Sequence, residues 1–231
     1  MKQGTASYTL PGDAAAVLLS VEMLYLEEYS EMRLTKALAE KLLQEAWENP
    51  MNRPWITHCR AVGRTAGVIA AAINEDAEFA EALGMVHDIG KKDTKEVVFH
   101  DILGYEYLTG LGYDDASAAV CLTHSYLNND DTCVAGGYLP ENEFRTGFIR
   151  NHHYTECEKI VNLCDLMCKD TLMTFEERMI DLITRKGVHP NSAYQLMEAI
   201  KLKNYFDAKV PGGIYSLFPD LHLMNGTTII F

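Results

Sequence analysis

Paired cysteines, uninterrupted apolar runs and an excess of basic charge are all missing from this sequence. Its longest apolar stretch, Ala14 to Leu26, is broken by Ser20 and Glu22 and falls well short of the ~20 residues that cross a bilayer. No membrane span is expected. A basic segment followed by an apolar stretch and a small-residue cleavage site is also missing at the N-terminus, which leaves the cytoplasm as the expected location. Six cysteines (Cys59, Cys121, Cys133, Cys157, Cys164, Cys168) are scattered without paired spacing, four of them in amphipathic helical patterns. Such thiols act as small core residues, which suits a reducing compartment. Cys164 and Cys168 lie one helical turn apart, but no second pair follows to complete a zinc site.

Lys and Arg number 20 against 33 Asp and Glu, giving a net charge of −13. That balance opposes attraction to a nucleic-acid backbone, which Lys and Arg normally drive, so no nucleic-acid partner is expected. A phosphate-bearing small substrate would need a local reversal of the field, and bound metal ions can supply one. Internal repeats and low-complexity segments are absent too. The hydrophobic fraction of 48% and charged fraction of 23% are near globular averages, so the chain can bury a sizeable core. It reads as one domain over 1–231 with additions at both ends, and a homo-oligomer is left open.

Apolar residues recur at three and four positions over most of the length, which predicts an all-α fold. Helices are expected near 13–29 and 33–48, then near 54–74, where Pro54 suits a first turn and Ile56, Cys59, Val62, Ala66, Ile69 and Ile73 share a face. Three more are expected near 76–90, 97–109 and 115–127, with Gly90, Gly110 and Asn128-Asn129 as stops. Thr155 with Glu158 and Thr174 with Glu177 fit the capping box, placing helices at about 156–170 and 175–186. A last helix is expected over 192–204. Residues 133–154, with Gly136-Gly137 and Pro140, read as a long loop. Asn225-Gly226, between Leu221–Met224 and Thr227–Phe231, predicts a short C-terminal β-hairpin.

Of eight histidines, His58, His87, His100 and His124 fall within predicted helices, whereas His152, His153, His189 and His222 fall outside them. His87 follows Leu83 by four, His124 follows Val120 by four and Asp165 follows Val161 by four, so all three project from apolar faces. A single histidine so placed is ordinarily a core residue satisfied by a carbonyl. Four of them together with inward-facing Asp88 and Asp165 are better explained by a shared cation, because buried carboxylates are costly unless paired or coordinated.

The order of these residues is specific. His58, then His87-Asp88 within Val86-His87-Asp88-Ile89-Gly90-Lys91, then Asp165 within Asn162-Leu163-Cys164-Asp165 resembles the H…HD…D signature of the HD superfamily of metal-dependent phosphohydrolases. His100 in Phe99-His100-Asp101-Ile102-Leu103-Gly104 and His124 in Leu122-Thr123-His124-Ser125 resemble the extra histidine segments of its two-metal branch, which includes bacterial symmetrical diadenosine tetraphosphate hydrolases. The resemblance covers about 54–170, with N-terminal helices 13–48 and a C-terminal extension 171–231 outside it. It implies a helical bundle and two divalent ions drawn from Fe, Mn, Co, Ni, Zn or Mg. In that reading Asp88 bridges, His58, His87 and Asp165 complete one ion, and His100 and His124 serve the second.

The implied activity is cleavage of a phosphate ester or phosphoanhydride in a nucleotide-like small molecule by metal-activated water, with Asp88 and Lys91 as catalytic residues. Two divalent ions with Asp88, Asp165 and a hydroxide carry a local charge of about +1, which attracts an anionic substrate. Lys91 is the candidate contact for a substrate phosphate, the alternative being a solvated Lys91-Lys92 pair. His152 and His153 are candidate proton donors or simply exposed loop residues, and Asp93 and Asp101 are candidates to orient lysine or histidine side chains or, equally, surface carboxylates. Two other classes fit the ligand pattern: a di-iron oxygenase and a metal-bound regulatory module without turnover.

Overall fold

In a computed structural model of the chain, described here for residues 32–92, 94 and 97–221, the backbone winds into helices α1 (Lys36–Trp47), α2 (Arg53–Ala72), α3 (Ala77–Val86), α4 (His100–Gly110), α5 (Asp115–Thr123), α6 (Glu143–Asn151), α7 (Glu156–Asp165), α8 (Phe175–Lys186) and α9 (Ser192–Asp207). The expected helix at 13–29, Asp93, His222 and all but Leu221 of the expected hairpin lie outside the described residues. Among those described, the all-α expectation holds: no sheet forms, and bridges such as Cys133 with Gly137 and Cys168 with Leu172 are isolated. The described elements fall in one compact unit beginning at Arg33.

Local sequence accounts for most helix starts. Thr35, Asp76, Asp114 and Asn142 each accept a backbone N–H of the first turn, and both expected capping boxes form, Thr155 with Glu158 and Thr174 with Glu177. The predicted apolar face of α2 is buried from Ile56 to Ile69. It packs along α3, α7 lies against both, and α4 pairs with α5. Leu43, Val62, Leu83, Val86 and Leu163 meet in the main core.

Two close approaches set this geometry. A Cβ on Gly84 would stand 2.7 Å from Gly63 Cα, so α2 and α3 cross at glycines. A Cβ on Gly90 would fall on the backbone oxygen of His100. Gly90 was expected to stop a helix, and it does lie in the 3₁₀ turn Ile89–Lys91 after α3. Its second role is to let α4 approach that turn.

Three expectations need correction. The helices expected to reach 90, 127 and 170 end at Val86, Thr123 and Asp165, because His87 and His124 cap α3 and α5 and Leu166 caps α7. Asn128 and Asn129, the expected stop, both adopt positive φ but lie beyond the end of α5 at Thr123, past the His124 cap. The long loop 133–154 contains α6, whose Phe144 and Phe148, and Arg145 and Ile149, stand at i and i+4. The upstream Gly-Gly and Pro masked that period. Ile149 and Arg145 are both buried, so tertiary contacts stabilise this nine-residue helix.

Candidate metal centre

His87 and His124 reach the site by the same device. The last carbonyls of a helix have no partner within it, and each imidazole takes one from its own last turn. His87 Nδ1 donates to Gly84 O at 2.7 Å, and His124 Nδ1 donates to Cys121 O at 2.9 Å. His58, in the second turn of α2, is fixed over a longer range: its Nδ1 donates to Lys169 O at 2.9 Å, just past α7. A carbonyl can only accept, so all three rings carry the proton on Nδ1. In the neutral form each then turns an Nε2 lone pair toward the Asp88 carboxylate.

Around that point the predicted residues converge. His58 Nε2 lies 3.2 Å from His87 Nε2 and 3.0 Å from Asp165 Oδ1, while His87 Nε2 lies 4.0 Å from the same oxygen. His100 Nε2 and His124 Nε2 are also 3.2 Å apart. Asp88 stands between the two histidine pairs. Its Oδ2 is 3.9 Å from His58 and 3.6 Å from His87, and its Oδ1 is 3.2 Å from His100 and 3.5 Å from His124. Two groups suited to a metal ion result, His58-His87-Asp88 and Asp88-His100-His124, sharing one carboxylate.

The donor set fits divalent cations. Imidazole nitrogens that have given away their N–H elsewhere would face each other as acceptors at 3.2 Å, a repulsive arrangement that a positive charge relieves. Their carbonyl partners are the kind of outer contact that fixes the tautomer of a metal-ligating histidine. Burial lowers the His87 pKa to about 3, more than Asp88 and Asp165 restore, so this ring stays neutral. His58 moves the other way: burial opposes its charged form, but the hydrogen bond and charge of Asp165 outweigh it and raise the pKa above 6.5. The pair thus has a place for one positive charge, which a proton or a metal ion can fill.

Burial works to raise both Asp88 and Asp165. The Lys91 ammonium holds Asp88 well below the usual carboxylate range, and the hydrogen bond and charge of His58 do the same for Asp165. Lys91 Nζ is hydrogen-bonded to Asp88 Oδ2 and lines the cleft, so it is not a purely solvated residue. Lys92 turns away to the Tyr107 hydroxyl, 3.1 Å distant.

Other candidates sit elsewhere. Asp101 is buried against Arg145 and Tyr126, with its Oδ2 2.6 Å from Arg145 Nε and 3.0 Å from the tyrosine hydroxyl, so it anchors α6 rather than orienting His100. His152 Nε2 bonds Glu158 Oε1 at 2.7 Å and His153 is exposed; both line a separate hollow beside α9, away from the metal-binding cleft.

The centre opens into a cleft of about 490 Å³. Trp55 and Leu139 lie on its wall, and so do four basic residues that sequence reasoning passed over: Lys169, Arg178, Arg185 and Lys186. The spacing of Arg178, Leu182 and Arg185 puts them on one face of α8, but nothing local says that this face turns to the centre.

No match was found among curated proteins or among solved structures. The model of the HD domain family does match, over residues 55–167, close to the expected 54–170. That span, just under half of the chain, holds His58, His87, Asp88, His100, His124 and Asp165, so the stretch that is similar to HD domains is the one that carries the candidate ligands.

Proposed function

We propose that this protein is a metal-dependent phosphohydrolase that cleaves a phosphate ester or phosphoanhydride of a nucleotide-like small molecule at a centre of two divalent ions. The HD domain family, whose model matches residues 55–167, is in general one of hydrolases. The observation that carries the two-ion reading is Asp88, with one carboxylate oxygen toward His58 and His87 and the other toward His100 and His124. His58, His87 and Asp165 would hold one ion, His100 and His124 the other, and Asp88 both. Divalent ions in such a site polarise a phosphoryl oxygen and bring the pKa of a water from ~16 towards ~7.

The chain's own residues supply position and charge. Carbonyls of Gly84, Cys121 and Lys169 lock the tautomers of three histidines, so little reorganisation is left when substrate arrives. Lys91, held on Asp88 Oδ2, presents a cation beside the bridging carboxylate and can turn to a substrate phosphate. Val134, Ala135 and Leu182 belong both to the cleft and to an adjoining apolar pocket of about 380 Å³, which gives room for the non-phosphate part of a nucleotide.

Metal analysis of the purified protein followed by a phosphate-release screen over nucleotides and dinucleotides tests the reading. About two ions per chain and metal-dependent release of phosphate or a phosphorylated product are expected. Saturation at one ion would reject the two-ion centre. A mixed-valence iron signal with oxygen consumption and no phosphate release would replace hydrolysis with oxygenase chemistry.

A further inference from the structure

The charge of the cleft wall runs against that of the chain. With a net charge of −13 overall, the cleft is lined by Lys91, Lys169, Arg178, Arg185 and Lys186, with Asp170 as the acidic residue beyond the metal centre. Lys169, Arg178 and Arg185 are organised from beneath by one carboxylate. Asp181 lies 3.4 Å from Lys169 Nζ, 2.5 Å from Arg178 Nη1 and 2.7 Å from Arg185 Nη2, and also accepts from Arg185 Nε at 2.9 Å.

One carboxylate cannot neutralise three cations. Arg178 is more than nine-tenths buried, and its Nε has no hydrogen-bond partner among the described residues. Lys186 has no ion pair among them and stands exposed at the end of the same helix. A fixed fork of guanidinium groups beside a lysine is the arrangement that takes phosphate oxygens. Its place matters as much as its charge. Lys169 ties the wall to the metal centre through its own carbonyl, which holds His58, yet all four residues lie beyond the HD domain match at 55–167.

We propose that Lys169, Arg178, Arg185 and Lys186 form a second anion subsite, which holds the distal phosphates of a substrate whose reacting phosphate lies at the metal centre. The substrate class is then a nucleoside oligophosphate, cleaved at a phosphoanhydride, in preference to a nucleoside monophosphate. This rests on the hydrolase reading of the cleft and narrows it.

The test measures binding of adenosine 5′-triphosphate and adenosine 5′-monophosphate to the metal-loaded protein in excess Mg²⁺, with bound metal and phosphate release followed in parallel. The unmodified protein should bind the triphosphate at least ~10-fold more tightly, as expected for an added charge-assisted contact. Arg185→Gln with Lys186→Gln, both at exposed positions, should bring the triphosphate to within ~3-fold of the monophosphate by removing that contact. Monophosphate affinity and metal content should not change. Lys186→Glu alone, which breaks no ion pair among the described residues, should move triphosphate affinity in the same direction and serves if the double variant folds poorly.

Equal affinity for the two nucleotides, or a preference that survives both variants, would overturn the subsite even if phosphate esters are hydrolysed. A triphosphate preference that depends on Arg185 and Lys186 without any phosphate release would keep the subsite and remove the hydrolase reading instead.

Discussion

Asp88 and Glu158 are both buried carboxylates beside histidines, each 2% exposed, yet they are satisfied in opposite ways. Glu158 has a protein donor for each of four positions. Thr123 Oγ1 at 3.0 Å and His152 Nε2 at 2.7 Å reach Oε1, and the backbone N–H and hydroxyl of Thr155, both at 2.9 Å, reach Oε2. Asp88 receives Lys91 and is otherwise ringed by four imidazoles, three of which have committed Nδ1–H to backbone carbonyls. A carboxylate with a full set of protein donors holds structure together. One ringed largely by imidazoles whose N–H groups are committed elsewhere is suited to a cation.

The sharpest way to break this contrast is Asp88→Asn, which keeps the shape and removes the charge shared by both ligand groups. Turnover should fall by more than ~10²-fold and bound metal should drop well below two ions per chain, since a bridging ligand is lost. The helical circular-dichroism signal should remain. Near-unmodified phosphate release from the folded, metal-reloaded variant would refute the assigned centre.

His100→Ala comes next, because it affects one group only. Metal content should fall from about two ions towards one, with the ion at His58, His87 and Asp165 retained, as when one half of a two-metal clamp loses a ligand. Two ions held with unchanged affinity would show that His100 is not a ligand.

At Glu158 the expected loss is of stability, not chemistry. Glu158→Gln should lower unfolding free energy by ~2 kcal/mol, the scale for disrupting buried hydrogen bonds to a charged group, and leave metal content unchanged. Burial works to raise the Glu158 pKa, but the hydrogen bonds from His152 and Thr155 outweigh it and hold it below 4.5. A carboxyl with a folded pKa below its unfolded one stabilises above the unfolded value and loses that contribution as pH falls through the folded value. Denaturation of the Gln variant should therefore depend less on pH at and below 4.5 than that of the unmodified protein. An identical acid limb would separate Glu158 from acid stability.

The smallest effect is expected at His153, exposed one residue beyond the Glu158 partner. His153→Ala should change stability by no more than ~0.5 kcal/mol, as for ordinary surface substitutions, and leave turnover intact. A large kinetic loss would restore it as a proton donor and bring residues 152–153 back to the chemistry.

Much of the fold was legible because its determinants are local. Helix periodicity, the Thr155 and Thr174 boxes and the buried face of α2 all depend on residues within one or two turns of each other. The four histidines and two aspartates were legible for a related reason, since charged and imidazole side chains on apolar faces stand out against helical spacing. Helix α6 escaped because its stability comes from burial of Arg145 and Ile149 and not from a long amphipathic pattern. Asp101, a candidate to orient a lysine or histidine or to be a surface carboxylate, is neither, because its partner Arg145 is 44 residues away in the chain.

By itself the sequence determined which residue types could gather around a cation, in what order, and on which helices, because these follow from side-chain chemistry and a 3.6-residue repeat. Only the tertiary structure decided that the two oxygens of Asp88 face different histidine pairs, that Lys169 O fixes His58, and that the basic residues of α8 line the cleft. Those relations are set by how helices cross and how closely they approach, as at Gly63 with Gly84 and Gly90 with His100. Such approaches depend on packing between residues far apart in the chain, which no local pattern encodes.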